Sequence, residues 1–214
     1  LFMRFIAGSQ ASMPATWRDF VTSQMLVQVG LLAVPAVLLA CLLDRRVRDG
    51  LLLRWPGYRP VIAGGFLAVC FHPLGMELTQ LIHNLYPLSD AIGKQLRELE
   101  SIMGPASLGT LILTMAVLPA ICEELTFRGL LFSGLRRSGR PGFTILTSSL
   151  FFGAIHGVFQ QSLSAFVVGI LIGGLAWRTS SILPGILFHF TYNGLSVLLG
   201  MVLPLYLPKQ PILQ

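Results

Sequence analysis

From Val21 to Leu43 the chain runs without a charged residue, and a helix of about 20 mostly apolar residues spans the hydrocarbon core of a bilayer. In lipid such a run must close its backbone hydrogen bonds internally, which a helix does and an irregular segment does not. The pattern recurs at Val61–Tyr86, Leu108–Leu135, Phe143–His156, Leu163–Trp177 and from about Ile182 to Leu203. The expected fold is therefore all-α: a polytopic membrane helix bundle with about six transmembrane helices. Composition agrees, since only 11% of residues are charged where a soluble domain carries about 25%. Hydrophobic residues make up 54% of the chain, and the mean hydropathy is +0.74.

Ser89–Met103 breaks the pattern. Ile92, Leu96 and Leu99 share one helical face, while Lys94, Arg97, Glu98 and Glu100 lie elsewhere. This reads as an amphipathic surface helix at the membrane interface, or as a lid over a cavity. The net charge of +6 does not form a nucleic-acid footprint. The arginines cluster between apolar runs, at Arg45–Arg59, Arg136–Arg140 and Arg178, as the positive-inside rule places them. With those three segments on the cytoplasmic side, the 89–103 helix and the C-terminal tail face outward. The expected partners are membrane lipid and a membrane-associated peptide or protein, with no nucleic acid. A bacterial plasma membrane suits a compact chain without a targeting segment.

Three regions follow: 1–104, two spans and the amphipathic helix; 105–203, a polar-residue-bearing helix bundle; and 204–214, a tail. The start at Leu1 is compatible with a longer protein, including one with a fused or partner transport domain upstream. Cys41, Cys70 and Cys122 all lie in apolar segments without metal-ligand spacing, and read as small buried hydrophobes. Leu163–Trp177 carries Gly169, Gly173 and Gly174, which permit close helix approach.

Charges at bilayer depth cost at least a few kcal/mol each, so they point to function. Three groups stand out. In Glu123-Glu124-Leu125-Thr126-Phe127-Arg128, Glu124 and Arg128 share a helix face and can pair. Glu123 points about 100° away and has no partner within the helix, which suits a general base in a dry site; an interhelical ion-pair cluster is the structural alternative. His156 is expected one helical turn after Phe152, either functional or a hydrogen-bonded helix contact. His189 and Asn193, four apart, can offer two N–H donors to a developing oxyanion, or hydrogen-bond between helices. Glu77, His83 and nearby His72 read as a solvated or pore-facing half-helix beside the site.

Glu123-Glu124-x-x-x-Arg128, Phe152-x-x-x-His156 and His189-x-x-x-Asn193, in that order and on separate helices, resemble the three motifs of the CPBP intramembrane proteases. That family includes CAAX prenyl endopeptidases of the Rce1 type and the bacteriocin-processing or bacteriocin-immunity proteins of the Abi type. The resemblance covers roughly residues 105–200. It implies that Glu123 activates water, that His156 positions or deprotonates that water, and that His189 and Asn193 stabilise the oxyanion. Glu124, Arg128 and Phe152 would then support the site. The resemblance implies no cofactor; a zinc protease is the alternative, although no His-Glu-x-x-His occurs. A non-catalytic scaffold or immunity-type protein is a further alternative. A transporter would show paired broken helices or an internal repeat, which the sequence does not display.

Overall fold

The structure is a computed structural model that describes residues 14–43 and 46–206, with side chains to 201. The predicted charges at Asp44 and Arg45, and most of the predicted tail, lie outside the described residues. Among the described residues eight helices follow one another: α1 (Trp17–Leu43), α2 (Val47–Gly50), α3 (Tyr58–Leu85), α4 (Asp90–Met103), α5 (Leu108–Arg136), α6 (Pro141–Ala154), α7 (Phe159–Thr179) and α8 (Leu183–Tyr206). No strand occurs among the described residues.

The helix starts follow local chemistry. Thr16 and Asp19 form a capping box at α1, each side chain bonded to the other's backbone N–H, which satisfies two orphan donors. Ser89 caps α4 and Ser107 caps α5 through backbone N–H groups three residues on. Pro141 opens α6, where its missing N–H costs nothing. α7 stops at Ser180, which adopts the left-handed conformation, a common helix terminator.

Among the described residues, four helices, α1, α3, α5 and α7, are long and apolar enough to cross a membrane. The expectation of about six spans is met only in part. α6 is apolar but only 14 residues long, and the 24 residues of α8 are interrupted by His189, Thr191, Tyr192 and Asn193. The large apolar side chains left exposed belong mainly to the long helices: Leu26, Leu31, Leu38 and Leu42 on α1, Ile62, Phe66 and Leu74 on α3. An apolar surface of this extent needs lipid against it. α4 buries no residue completely; Ile92, Leu96 and Leu99 are half-buried, and its charged side chains are exposed, as expected for a surface helix.

α8 is the axis of the bundle, packed against α3, α5 and α7, while α1 lies along α5, and α6 pairs with α7. The three arginine-bearing connections meet at one end. Ile182 donates its N–H to Leu52 O at 3.1 Å, Ser181 Oγ donates to Arg54 O at 2.6 Å, and Arg136 Nη2 reaches Trp177 O and Ser180 Oγ. Beneath them Leu52, Phe132, Ala176 and Ile182 form an apolar cluster. The common side deduced from charge alone is thus common in space.

Two sequence readings change here. Only Cys122 is buried; Cys41 and Cys70 are exposed on the outer faces of α1 and α3. Of the three α7 glycines, Gly169 and Gly173 lie against Ser149 and Ile145 of α6, whereas Gly174 has open space beside it.

Candidate functional site

The polar cluster is centred on α5. Its backbone widens to a π-helical run over Leu125–Leu131, directly after Glu123 and Glu124, a feature that recurs at functional sites. Pro119, earlier in α5, has no N–H to give to the carbonyl of Met115. Asn193 Nδ2 on α8 donates to that carbonyl at 3.2 Å.

Glu124 and Arg128 form the expected pair at 2.9 Å, both fully buried. The guanidinium is held on two further sides. Nη2 donates to Gly169 O on α7 at 3.2 Å, and Cζ lies 4.3 Å from the centre of the Phe152 ring on α6. Desolvating two charges is costly; Gly169 O and the Phe152 ring offset part of it, while Arg128 Nε and Glu124 Oε2 remain without a protein partner. The fit depends on missing side chains. A Cβ at Gly185 would stand 2.7 Å from Ile172 Cγ2 and 2.9 Å from Glu124 Oε2. Gly185→Ala should therefore destabilise the bundle by about 1–3 kcal/mol through overpacking, read as a lower melting temperature in detergent.

Glu123, the residue next to Glu124 on the helix, is 5% exposed. It is not without a partner. Gln28 Nε2, on α1, donates to Glu123 Oε1 at 2.7 Å. The second oxygen, Oε2, is buried without a protein hydrogen bond, 3.8 Å from His189 Nε2.

His189 sits between the two carboxylates, with Nδ1 3.4 Å from Glu124 Oε1. An ionised carboxylate only accepts, so Nδ1 carries hydrogen when Glu124 is charged. Nε2, facing Glu123, is then a lone pair in the neutral ring and a donor only in the imidazolium. With Nδ1 committed to Glu124, donation from Nε2 needs the protonated ring. The Phe152 ring packs edge-on against His189 at 5.7 Å and His156 at 5.2 Å.

His156 is not on the helix. α6 ends at Ala154, and Gly157 adopts φ +71°, a left-handed turn that glycine makes without steric cost. Val158 N–H closes this turn onto His156 O, and His156 Nδ1 pairs with Phe152 O at 2.9 Å. The ring is half-buried and stands at the mouth of α6, separated from His189 by Phe152. The structure thus brings together Glu123, Glu124, Arg128, Phe152 and His189. Asn193 bonds α5 from one side, and His156 lies across the Phe152 ring.

His72 is buried and shares a hydrogen bond with Ser196 of α8 at 3.0 Å, a helix-to-helix contact. Glu77 is exposed and His83 half-buried. Gln28 escaped the sequence reading. The available signal was an amide inside an uncharged span, but Gln24 lies there too, and a helical repeat does not tell which one faces α5.

Part of the donor set that a zinc ion would use is already engaged. Glu124 Oε1 is occupied by Arg128 and Glu123 Oε1 by Gln28, while His156 Nδ1 is turned to a carbonyl. No group of three His, Cys, Asp or Glu side chains among the described residues is placed to hold a metal ion.

Residues 105–195 match the family described as Rce1-like, type II CAAX prenyl endopeptidase. The match takes in Glu123, Glu124, Arg128, Phe152, His156, His189 and Asn193, and covers less than half of the 214 residues. No curated protein and no solved structure matches the chain.

Proposed function

We propose, from the Rce1-like domain that residues 105–195 carry, that this membrane protein is an intramembrane endopeptidase using Glu123 to activate water. One observation supports the assignment most: Glu123 Oε2 is buried, unpaired within the protein, and faces a histidine nitrogen across 3.8 Å. A carboxylate shielded from bulk water can take a proton from a water molecule as that water attacks a peptide carbonyl. The proton then passes to the departing amine nitrogen, so that hydroxide is added to the acyl carbon and hydrogen to the amine.

The charge that develops on the carbonyl oxygen needs donors in a dry site. His189 in its imidazolium form supplies one from Nε2. Asn193 Nδ2 has a second N–H beyond the one given to Met115 O, and so supplies another. Glu124 orients His189, and Arg128 orients Glu124; neither touches the reacting atoms. His156, half-buried at the α6–α7 turn, takes the role of handling protons on the open side. The substrate class is a membrane-associated peptide, whose scissile bond must enter between helices. We place the protein in a bacterial plasma membrane with its arginine-rich connections in the cytoplasm.

The test is cleavage of membrane-embedded peptides by purified protein in detergent, with and without a prenyl group, followed by mass analysis of the new termini. Turnover that survives a strong chelator and disappears in Glu123→Ala is the expected outcome. Turnover abolished by chelator would assign the chemistry to a metal instead. Folded wild type that leaves every peptide intact, with Glu123→Ala unchanged in biological activity, would assign the polar cluster to a scaffold.

A further inference from the structure

We infer that Gln28, on α1 and outside the matched residues 105–195, is a positioning residue that aims the Glu123 carboxylate; this rests on the proteolytic reading above. The two side chains are 95 positions apart, both at least nine-tenths buried, and joined by a 2.7 Å hydrogen bond. Because a carboxylate offers only acceptors, the Gln28 amide nitrogen must be the group that faces it. The bond engages Oε1 and leaves Oε2 as the oxygen turned towards His189 Nε2. A glutamate free to rotate about its side-chain bonds would present the two oxygens interchangeably; one fixed donor removes that freedom.

The chemistry of the donor matters. Arg128 neutralises Glu124 with a full positive charge. Gln28 orients Glu123 without neutralising it, which leaves the charge available to accept a proton. Adjacent carboxylates thus receive different partners, a cation for the structural one and a neutral amide for the base. The backbone of α1 is built for this placement. Leu26–Ala33 is a π-helical run, closed by Val34 N–H on Val29 O. Within it Gln28 is turned to α5 while Leu26 and Leu31 stay exposed. The other end of the amide is telling as well. Gln28 Oε1 is buried and has no protein donor, so Glu123 is the one side chain this amide engages among the described residues.

Gln28→Met keeps the side-chain volume and removes the donor. In the peptide-cleavage assay kcat should fall about 100-fold, the usual cost of a misplaced reacting group, while KM stays within about twofold and the protein remains folded and monodisperse. Gln28→Glu should lose more, because it sets a second negative charge against Glu123. Should Gln28→Met fail to fold, Gln28→Asn, which keeps the amide but shortens its reach, carries the same expectation. Wild type active, Glu123→Gln inactive and folded Gln28→Met at full kcat would overturn the positioning role alone. A raised KM at unchanged kcat would overturn it too, making Gln28 a substrate contact. Wild type inactive on every peptide would instead overturn the proteolytic reading and this role with it.

Discussion

Glu123→Gln leaves a folded protein whose peptide hydrolysis is reduced by about 10²–10⁴-fold, the range that one positioned proton acceptor supplies. Folding is expected to survive because a glutamine carbonyl at position 123 still accepts the Gln28 N–H that now goes to Oε1. What the amide cannot do is take a proton from water. Rate and melting temperature should therefore separate: activity falls while stability holds. The neighbouring carboxylate should behave in the opposite way. Glu124→Gln removes the counter-charge of a fully buried guanidinium and is expected to lower stability first, with activity following the folded fraction. Purifying both variants and measuring kcat beside thermal unfolding in detergent decides it. Equal loss of turnover with equal melting temperatures would mean that the two glutamates act together in the chemistry.

Arg128→Met should be the most destabilising single substitution in the site. Removing one partner of a buried ion pair costs about 3–5 kcal/mol, because the remaining charge is left without compensation. Here the loss also strips Gly169 O of its donor and takes the cation from the face of Phe152. A bundle of ordinary stability, about 5–15 kcal/mol, loses a large share of it, and the expected readout is aggregation on extraction or a sharply lowered melting temperature. Arg128→Lys keeps the charge but not the planar fork, so it cannot hold Glu124 and Gly169 O while stacking on Phe152. Partial recovery is expected. The double variant Glu124→Leu, Arg128→Met should be more stable than Arg128→Met alone, since no lone charge remains. If the double variant is no better, packing rather than charge is what Arg128 provides.

These two results bear on different parts of what could be read from the chain. The Glu124–Arg128 pair was legible because four-residue spacing sets two side chains on one face of any helix, and the widened turn over Leu125–Leu131 does not separate them. The role of α4 as a surface helix was legible for the same reason, from Ile92, Leu96 and Leu99. Basic clusters put three connections on one side, and the bonds joining 50–54, 133–136 and 177–182 at one end of the bundle agree. His156 lies two residues past the end of α6, just before the turn at Gly157, and still meets the Phe152 ring at 5.2 Å, so the one-turn relation read from the spacing holds.

That the chain is helical and lies in a membrane follows from its apolar runs, since without charges they leave a backbone no other way to satisfy its hydrogen bonds in lipid. The sequence also singled out the residue types that could carry chemistry, because charges are rare at that depth and each must be compensated. Which atoms meet is a matter of how the helices pack. Gln28 of α1 reaches Glu123, His189 lies between two carboxylates, and Asn193 takes a carbonyl freed by Pro119. Those encounters depend on helix rotation and crossing. Both are set by shape, by small residues such as Gly169 and Gly185 that let polar groups approach, and no spacing along a single helix encodes which neighbour will be there.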